Sequence, residues 1–293
     1  MLNCVYESTF RKVSVDRPHW TAIGKAASWK NMKTIEIVTI AVAVVLLAAT
    51  MVSAKQGVYA RLGLGAAFSR DTNFADENCA SSNPPALFGC SSGPDGRSIG
   101  ARGDFGSSIL IDAGLGYDLG LLRLEATLGW RPGFAFSGQA NFLNVPLDHQ
   151  PVTGDVDSKT AMVGAYLDLA SLAGKIDARF HPFLGAAVGI AHNSADSMQY
   201  RFPTISQDAA TWTPSGSWTG FTWALTAGIS ISLPQALTLD IGYRYQDLGT
   251  VRTDTGTATI VRPTLSEPLE LTIAPTEASL QAHDFYASLR YAF

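Results

Sequence analysis

The sequence contains little cysteine and histidine, few charged residues and no excess of basic side chains. Only 3 of its 293 residues are cysteine and 5 are histidine, and acidic residues outnumber basic ones by 25 to 21. A nucleic-acid-binding surface is basic because it neutralises phosphates, so we expect no nucleic-acid partner. His149, His181 and His283 are isolated and give no metal-ligand spacing, so we expect neither a metal nor a cofactor.

One apolar stretch is too short to cross a bilayer as a helix. It covers the 13 residues 37–49, whereas a spanning helix needs about 20 residues. Lys33 precedes it and Val52-Ser53-Ala54 follows it, which predicts a signal peptide over 32–54 that is cut after Ala54. The alternative is an uncleaved signal anchor. Residues 1–31 have no sustained apolar period and are interpreted as a disordered upstream extension or an early start codon.

The predicted mature chain, 55–293, is acidic and has two cysteines. Removal of residues 1–54 takes away six basic and three acidic residues, which leaves 15 basic, 22 acidic and a net charge of −7. Cys79 and Cys90 lie in a polar stretch rich in Pro and Gly, and in an exported protein such a pair predicts a loop disulfide. No Pro/Ser-rich linker divides the mature chain, which favours a single domain.

Segments of about ten residues alternate in polarity along the mature chain, which is the signature of transmembrane β-strands. Leu239 and Ile241, for example, alternate with Asp240 and Gly242. We predict an all-β, eight-stranded, antiparallel up-and-down transmembrane β-barrel. Its predicted strands are Val58–Ser69, Ser107–Asp118, Leu121–Phe136, Thr160–Leu169, Phe180–Asn193, Gly220–Leu233, Ala236–Asp247 and His283–Phe293.

Connection lengths separate a membrane barrel from a soluble sandwich. The links after the second, fourth and sixth predicted strands are short, and the other links are long, roughly 20 to 40 residues. Outer-membrane barrels have short periplasmic turns and long external loops, whereas a sandwich has no reason to place every long link on one side.

Aromatic residues are frequent near the predicted strand ends, where interfacial girdles of a membrane barrel lie. Strands favour aromatic residues in any setting, so this signal alone is weak. The set is Tyr59, Phe68, Tyr117, Trp130, Phe134, Phe136, Phe180, Phe183, Phe221, Trp223, Tyr243, Tyr245, Tyr291 and Phe293.

The strand 239–245, the alternating last strand and the terminal aromatic together resemble small outer-membrane barrels of the OmpA-like and opacity-protein superfamily. The similarity covers 55–293 and is strongest to alphaproteobacterial porin-like proteins, although Ser288 stands where that terminal pattern usually has Gly. The resemblance implies residence in the outer membrane among its lipids. It also implies that Tyr291 and Phe293 form the signal read by the barrel-assembly machinery.

The predicted inward faces carry many charged residues. An eight-stranded barrel has room inside for side chains but not for a wide channel, and buried opposite charges are expected to pair. We therefore predict an internal salt-bridge network, with a proton or ion path as the alternative. Its predicted members are Arg61, Asp112, Arg123, Glu125, Arg131, Asp168, Asp240, Arg244 and Arg290.

One pair of residues resembles an enzyme motif. His192 and Ser194 fall on the predicted lipid-facing side, with the His-x-Ser spacing of outer-membrane lipid A deacylases. No acidic residue is clearly placed to complete a triad, although Asp196 shares the alternation. The sequence therefore favours a non-enzymatic structural and surface-interaction protein, adhesin-like, with four external loops that contact host or envelope ligands. The alternatives are a lipid A esterase and a narrow porin-like channel.

Overall fold

The computed structural model describes residues 57–143, 149–174 and 179–293. The predicted extension, 1–31, and the predicted signal peptide, 32–54, lie outside these residues. No helix within the described ranges is long and apolar enough to cross a membrane.

The described chain is almost entirely β-structure, with one short helix. Its elements are β1 (Gly57–Ser69), β2 (Thr72–Asp76), β3 (Ala101–Asp104), β4 (Ser107–Asp118), β5 (Leu122–Ala140), β6 (Pro151–Asp168), α1 (Leu169–Leu172), β7 (Phe180–Ala195), β8 (Gln199–Arg201), β9 (Ala210–Trp212), β10 (Gly216–Ser232), β11 (Leu237–Arg252), β12 (Gly256–Val261), β13 (Leu269–Ile273) and β14 (Thr276–Ala292).

Eight of these strands form a closed antiparallel ring. The order around the ring is β1, β4, β5, β6, β7, β10, β11 and β14, and β14 pairs again with β1. Each ring strand pairs with the ring strands before and after it in the chain, as in an up-and-down barrel. The predicted all-β, eight-stranded barrel is confirmed.

The outward faces of the ring form an apolar wall. Leu62 is 70% exposed to solvent, Val163 61% and Phe221 65%, which only a lipid environment makes favourable for so many neighbouring side chains. On β14, Phe285, Leu289 and Tyr291 also face outward. The alternation therefore predicts correctly which side chains of these strands face outward.

Short turns close one end of the ring, which corresponds to the periplasmic end of such barrels. Between β4 and β5, the Asp118 carboxylate accepts a hydrogen bond from the Gly120 backbone N–H at 2.7 Å, and Gly120 has φ of 90°. Only glycine adopts that conformation without strain, so the turn is fixed by this residue. Between β10 and β11, the link is a tight turn through Gln235 and Ala236, both with positive φ.

At the opposite end, several strands continue well beyond the predicted bounds. β5 ends at Ala140 instead of 136, β6 begins at Pro151 instead of 160, and β14 begins at Thr276 instead of 283. We call these continuations, 134–140, 151–156, 248–252 and 276–282, together with the short strands β2, β3, β8, β9, β12 and β13, the external section. β2 and β3 fill the gap between β14 and β5 above the ends of β1 and β4.

The side-chain pattern inverts where the ring enters the external section. Along the membrane part of β5, Arg123 and Glu125 point inward and Leu124 points outward, whereas beyond Arg131 it is Phe134 that is buried inside. A β-bulge lies between Arg131 and Phe134 at this change. The external section thus has an apolar interior and a mostly polar outer surface, with Leu269 and Leu271 on β13 as exposed exceptions.

Candidate functional site

A network of charged side chains fills the interior of the membrane part. Asp112 lies at its centre, with its carboxylate 2.7 Å from Arg61 and 3.0 Å from Arg244. Arg61 also pairs with Glu125 at 3.2 Å, and Glu125 accepts a hydrogen bond from the Tyr59 hydroxyl at 2.9 Å. These residues come from four different strands, so the network ties opposite walls of the barrel together.

Arg131 and Asp284 form the most buried ion pair, at the upper edge of the network. Both side chains have no exposed surface, and the Arg131 Nη2 atom lies 2.5 Å from the Asp284 carboxylate. The same nitrogen donates to the Gln246 side chain at 2.6 Å, and Arg244 is 4.0 Å from Asp284. Asp284 therefore connects the pair to the rest of the network.

Arg290 organises the lower end of the interior, near the short turns. It donates two hydrogen bonds to Asp240, at 2.7 and 3.1 Å, which fixes both carboxylate oxygens. Arg123 lies 3.7 Å from the same carboxylate, and its guanidinium stacks over the Phe183 ring at 4.8 Å. Such bidentate and stacked arrangements are specific to arginine.

Two assignments of interior charge differ from the sequence expectation. Asp168 was expected in the network, but it caps α1 by accepting from the Ser171 N–H and lies 2.8 Å from His181 at the rim. Its place at the strand end gives it a local partner. Asp284, in turn, was missed, although it shares the alternation of Tyr286 and Arg290 and therefore points inward.

The interior charges nearly balance. Among the described residues, the buried charged set consists of five arginines and four carboxylates. Arg61 and Arg244 also lie over the Tyr286 ring, at 5.5 and 4.9 Å. A network with this balance and this many contacts fills the space between the strands, which supports a structural role for these side chains.

An aromatic cluster fills the interior of the external section above the charges. Phe74, Phe105 and Phe136 contact one another with ring centroids 5.1 to 5.8 Å apart. Phe88 and Tyr200 continue the cluster, 5.8 Å apart. Burial, with Asp76 nearby, raises the pKa of the Tyr200 hydroxyl above its ordinary value, so it stays neutral. We call this set the aromatic plug.

Some aromatic residues that were expected in the interfacial girdles lie inside the protein instead. Phe134 and Phe136 were expected at a membrane interface but lie inside the external section, 0% and 1% exposed. Tyr59 and Phe183 also face inward, where they contact the charge network. Phe134 and Phe136 lie inside because the bulge changes which residues of β5 face inward. Tyr59 and Phe183 lie inside because their rings pack against the guanidinium groups of arginines. Trp130, Phe221 and Tyr291 do face outward.

The Cys79–Cys90 loop holds Phe88 in the plug. The two sulfur atoms are bonded in the structure. The Asp76 carboxylate accepts hydrogen bonds from three successive backbone N–H groups, those of Leu87, Phe88 and Gly89, at 2.8 to 2.9 Å. These bonds fix the loop against β2, so that Phe88 packs into the interior with its ring 5.2 Å from Phe142.

His192 and Ser194 lie together on the outer surface, as the alternation predicted. The Ser194 hydroxyl is 3.4 Å from His192 Nε2. The other ring nitrogen, Nδ1, lies 2.8 Å from the Thr219 hydroxyl, and not from a carboxylate. Thr219 could not be found from the sequence, because the contact depends on the β7–β10 register. A Ser–His pair without an acidic partner lacks the group that orients and stabilises a catalytic imidazolium.

An open cleft of about 770 Å³ lies on the outside of the external section. Its walls carry the carboxylates of Asp155 and Asp196, the Gln199 amide and the Trp212 indole. The cleft spans β5, β6, β8 and β9, and the plug residue Phe136 is among its lining residues. Within the described ranges, no group of three or more side chains is suited to hold a metal ion.

A closed ring with an apolar wall and a charged interior defines an outer-membrane β-barrel. The chain belongs to the outer membrane protein beta-barrel domain family, whose model matches residues 38–293. The family membership places the protein in the outer membrane.

Solved structures with a similar fold include small and larger outer-membrane barrels. Neisserial surface protein A is 16% identical, with 80% of this chain and 97% of that chain covered and a TM-score of 0.37. OprG from Pseudomonas aeruginosa is 12% identical, with 80% and 96% covered and a TM-score of 0.43. The Escherichia coli protease OmpT is 8% identical, with 83% and 99% covered and a TM-score of 0.46. These similarities concern the fold alone. No curated protein sequence matches this chain.

Proposed function

We propose that this protein is a non-enzymatic outer-membrane barrel that displays a folded platform for contacts outside the cell. The observation that carries the proposal is the inverted polarity of the external section. Its apolar interior and polar outer face make it a self-supporting structure, not a set of separate loops. A rigid scaffold of this kind is suited to present binding surfaces.

The interior supports a structural role in place of transport. The charge network crosses the membrane part, and the aromatic plug lies above it, so two successive layers of side chains occupy the space inside the ring. A narrow channel would have to pass both layers. We therefore favour the closed barrel over the porin-like alternative.

The outward cleft is the part of the platform with the most distinctive chemistry. Asp155 and Asp196 give it a negative charge, and Trp212 offers a flat apolar surface. A ligand that fits would combine a basic or hydroxyl-rich group with an apolar or sugar face. Tyr291 and Phe293, 48% and 58% exposed at the end of the chain, are retained as the proposed signal for the barrel-assembly machinery.

Whole-cell binding tests the surface role. We expect Escherichia coli cells that produce the protein to bind cultured epithelial cells and immobilised matrix proteins better than cells with an empty vector. The matched variant Asp155→Asn/Trp212→Ala replaces two cleft side chains that are not part of the plug, and we expect it to lose most of this gain. Equal binding by cells with the protein and cells with the empty vector would contradict the surface role.

The esterase alternative makes a separate prediction. Because Thr219 replaces a carboxylate beside His192, we expect Ser194→Ala to leave the acyl-chain number of lipid A unchanged. Mass spectra of lipid A from cells that produce wild type, Ser194→Ala or no protein are expected to be identical. A deacylated species that appears only with wild type would establish an esterase and overturn the non-enzymatic proposal.

A further inference from the structure

Lys159 occupies an unusual position on the outer surface of the barrel. It is the only lysine among the described residues, and its side chain is exposed on the outward face of β6. Toward the membrane, the same face continues with Val163, and the neighbouring strand continues with Ile190, both more than half exposed. A cation facing lipid is costly at the bilayer centre and nearly free of cost at the interface. Lys159 therefore marks the external edge of the apolar wall.

The residues beside Lys159 indicate that it lies at the level of the lipid headgroups. Trp130 on β5 and His192 on β7 are its direct cross-strand partners. Trp130 is 43% exposed on the outer face, the position that interfacial tryptophans take at the level of lipid headgroups. Above this level the outer face turns polar, with Asp157 and Asp155 exposed on β6.

Hydrogen-bond donors collect around Lys159 on three adjacent strands. Thr219 on β10 is the cross-strand partner of His192, and its hydroxyl is 2.8 Å from His192 Nδ1. Ser194 lies one step further along β7, with its hydroxyl 3.4 Å from His192 Nε2. Directly paired side chains on neighbouring strands stand about 5 Å apart. One ligand group with several oxygen atoms can therefore contact more than one of them.

A carboxylate on the same face, that of Asp157, forms no ion pair with Lys159. Asp157 lies two residues from Lys159 on the same face, and it accepts a hydrogen bond from the Gly133 backbone N–H at 2.7 Å. No salt bridge joins Lys159 to a carboxylate within the described part of the chain. The ammonium group is thus available to an anion that comes from the lipid side.

We propose that Lys159 and the Thr219 and Ser194 hydroxyls, which His192 orients, bind the phosphate of an anionic glycolipid in the external leaflet, with Trp130 packed against the adjoining sugar. A phosphate presents several acceptor oxygens, which match the ammonium and a hydroxyl that accepts its hydrogen bond from the ring. Both ring nitrogens of His192 face hydroxyls, so the imidazole orients these groups and does not itself donate to the phosphate. Basic residues at a membrane surface attract anionic headgroups in the same way. This inference goes beyond the proposed surface role, and neither depends on the other.

Lipid retention by the purified full-length protein tests the site. The probes are bisphosphorylated lipid A and the same lipid A after removal of its phosphates, each offered in phosphatidylcholine nanodiscs, with bound lipid counted by native mass spectrometry. We expect wild type to prefer the phosphorylated form. Lys159→Gln should weaken that binding about fivefold, as expected for about 1 kcal/mol per basic residue near a surface. Thr219→Val, which removes one donor at nearly constant size, should weaken it less.

Arg102→Gln is the matched control, because Arg102 is exposed on β3 in the external section and its loss changes the net charge equally. We expect it to bind lipid A like wild type. Heat-modifiable gel mobility shows that each variant is folded before binding is compared. Equal retention of both lipids by wild type, or equal affinity in Lys159→Gln and wild type, would overturn the proposal. Displacement by millimolar inorganic phosphate would identify a site for free phosphate instead and would also overturn it.

Discussion

The change Asp284→Asn is expected to lower the free energy of unfolding by about 3–5 kcal/mol, the range for breaking a buried ion pair. Asp284 has no exposed side-chain surface and pairs with Arg131, with Arg244 at 4.0 Å. Asparagine keeps the shape but removes the negative charge, so a guanidinium with no exposed surface is left without its counterion. Denaturant unfolding of the barrel in phospholipid vesicles measures the loss.

Two further variants test whether the loss of the buried counterion causes this destabilisation. Asp254→Asn changes an exposed carboxylate in the link between β11 and β12 and is expected to stay within about 0.5 kcal/mol of wild type. The double change Arg131→Met/Asp284→Leu removes both charges, and we expect it to be more stable than Asp284→Asn, because replacement of a whole buried pair costs less than removal of one partner. If Asp284→Asn unfolded like Asp254→Asn, the network would not stabilise the barrel.

The second large effect is expected for Phe136→Ala in the aromatic plug. Phe136 is 1% exposed and contacts the rings of Phe74 and Phe105. Removal of a buried ring leaves a cavity and costs about 3–5 kcal/mol. Because the plug lies above the membrane part, we expect the external section to become sensitive to protease on intact cells while the membrane part keeps its heat-modifiable gel mobility.

Phe221→Ala is the matched control, since Phe221 is 65% exposed on the lipid-facing wall, where lipid fills the space of the missing ring. We expect the external section of this variant to resist protease like that of wild type.

Conductance in planar bilayers tests whether the charge network closes the barrel without an intact aromatic plug. Wild type and Phe136→Ala should both show no discrete channel steps, because the charge network remains in place. Channel steps in wild type would establish the porin-like alternative.

The membrane part of the fold could be predicted from the sequence because one face of each strand contacts lipid and the other face contacts the charged interior. Along β11, Leu239 and Ile241 face lipid while Asp240 and Arg244 face the interior, and this period of two is visible in a single segment. The same parity placed His192 and Ser194 on the outer surface. It also contained the signal for Asp284, which shares the face of Arg290.

The external section could not be predicted in the same way. Beyond the bulge after Arg131, buried aromatic side chains replace buried charges, so Phe134 and Phe136 matched the pattern of a lipid-facing girdle. A one-residue irregularity exchanges the faces of a strand, and here it falls on Pro132-Gly133, where Gly133 has φ of 68°. A Pro-Gly pair inside a strand is a signal for a bulge, but it does not tell that the interior beyond it becomes apolar. The predicted β5 therefore ends too early, and the predicted β6 and β14 begin too late.

The sequence by itself determined the class of protein, the number of barrel strands and the face on which most side chains lie, because strand periodicity is a local property. Only the tertiary structure decided which residues meet. Arg131 and Asp284 are 153 residues apart, Asp168 pairs with His181 instead of with the arginines, and Thr219 takes the place of an acid beside His192. These contacts depend on strand register and on closure of the ring, which bring together residues that are distant in the chain.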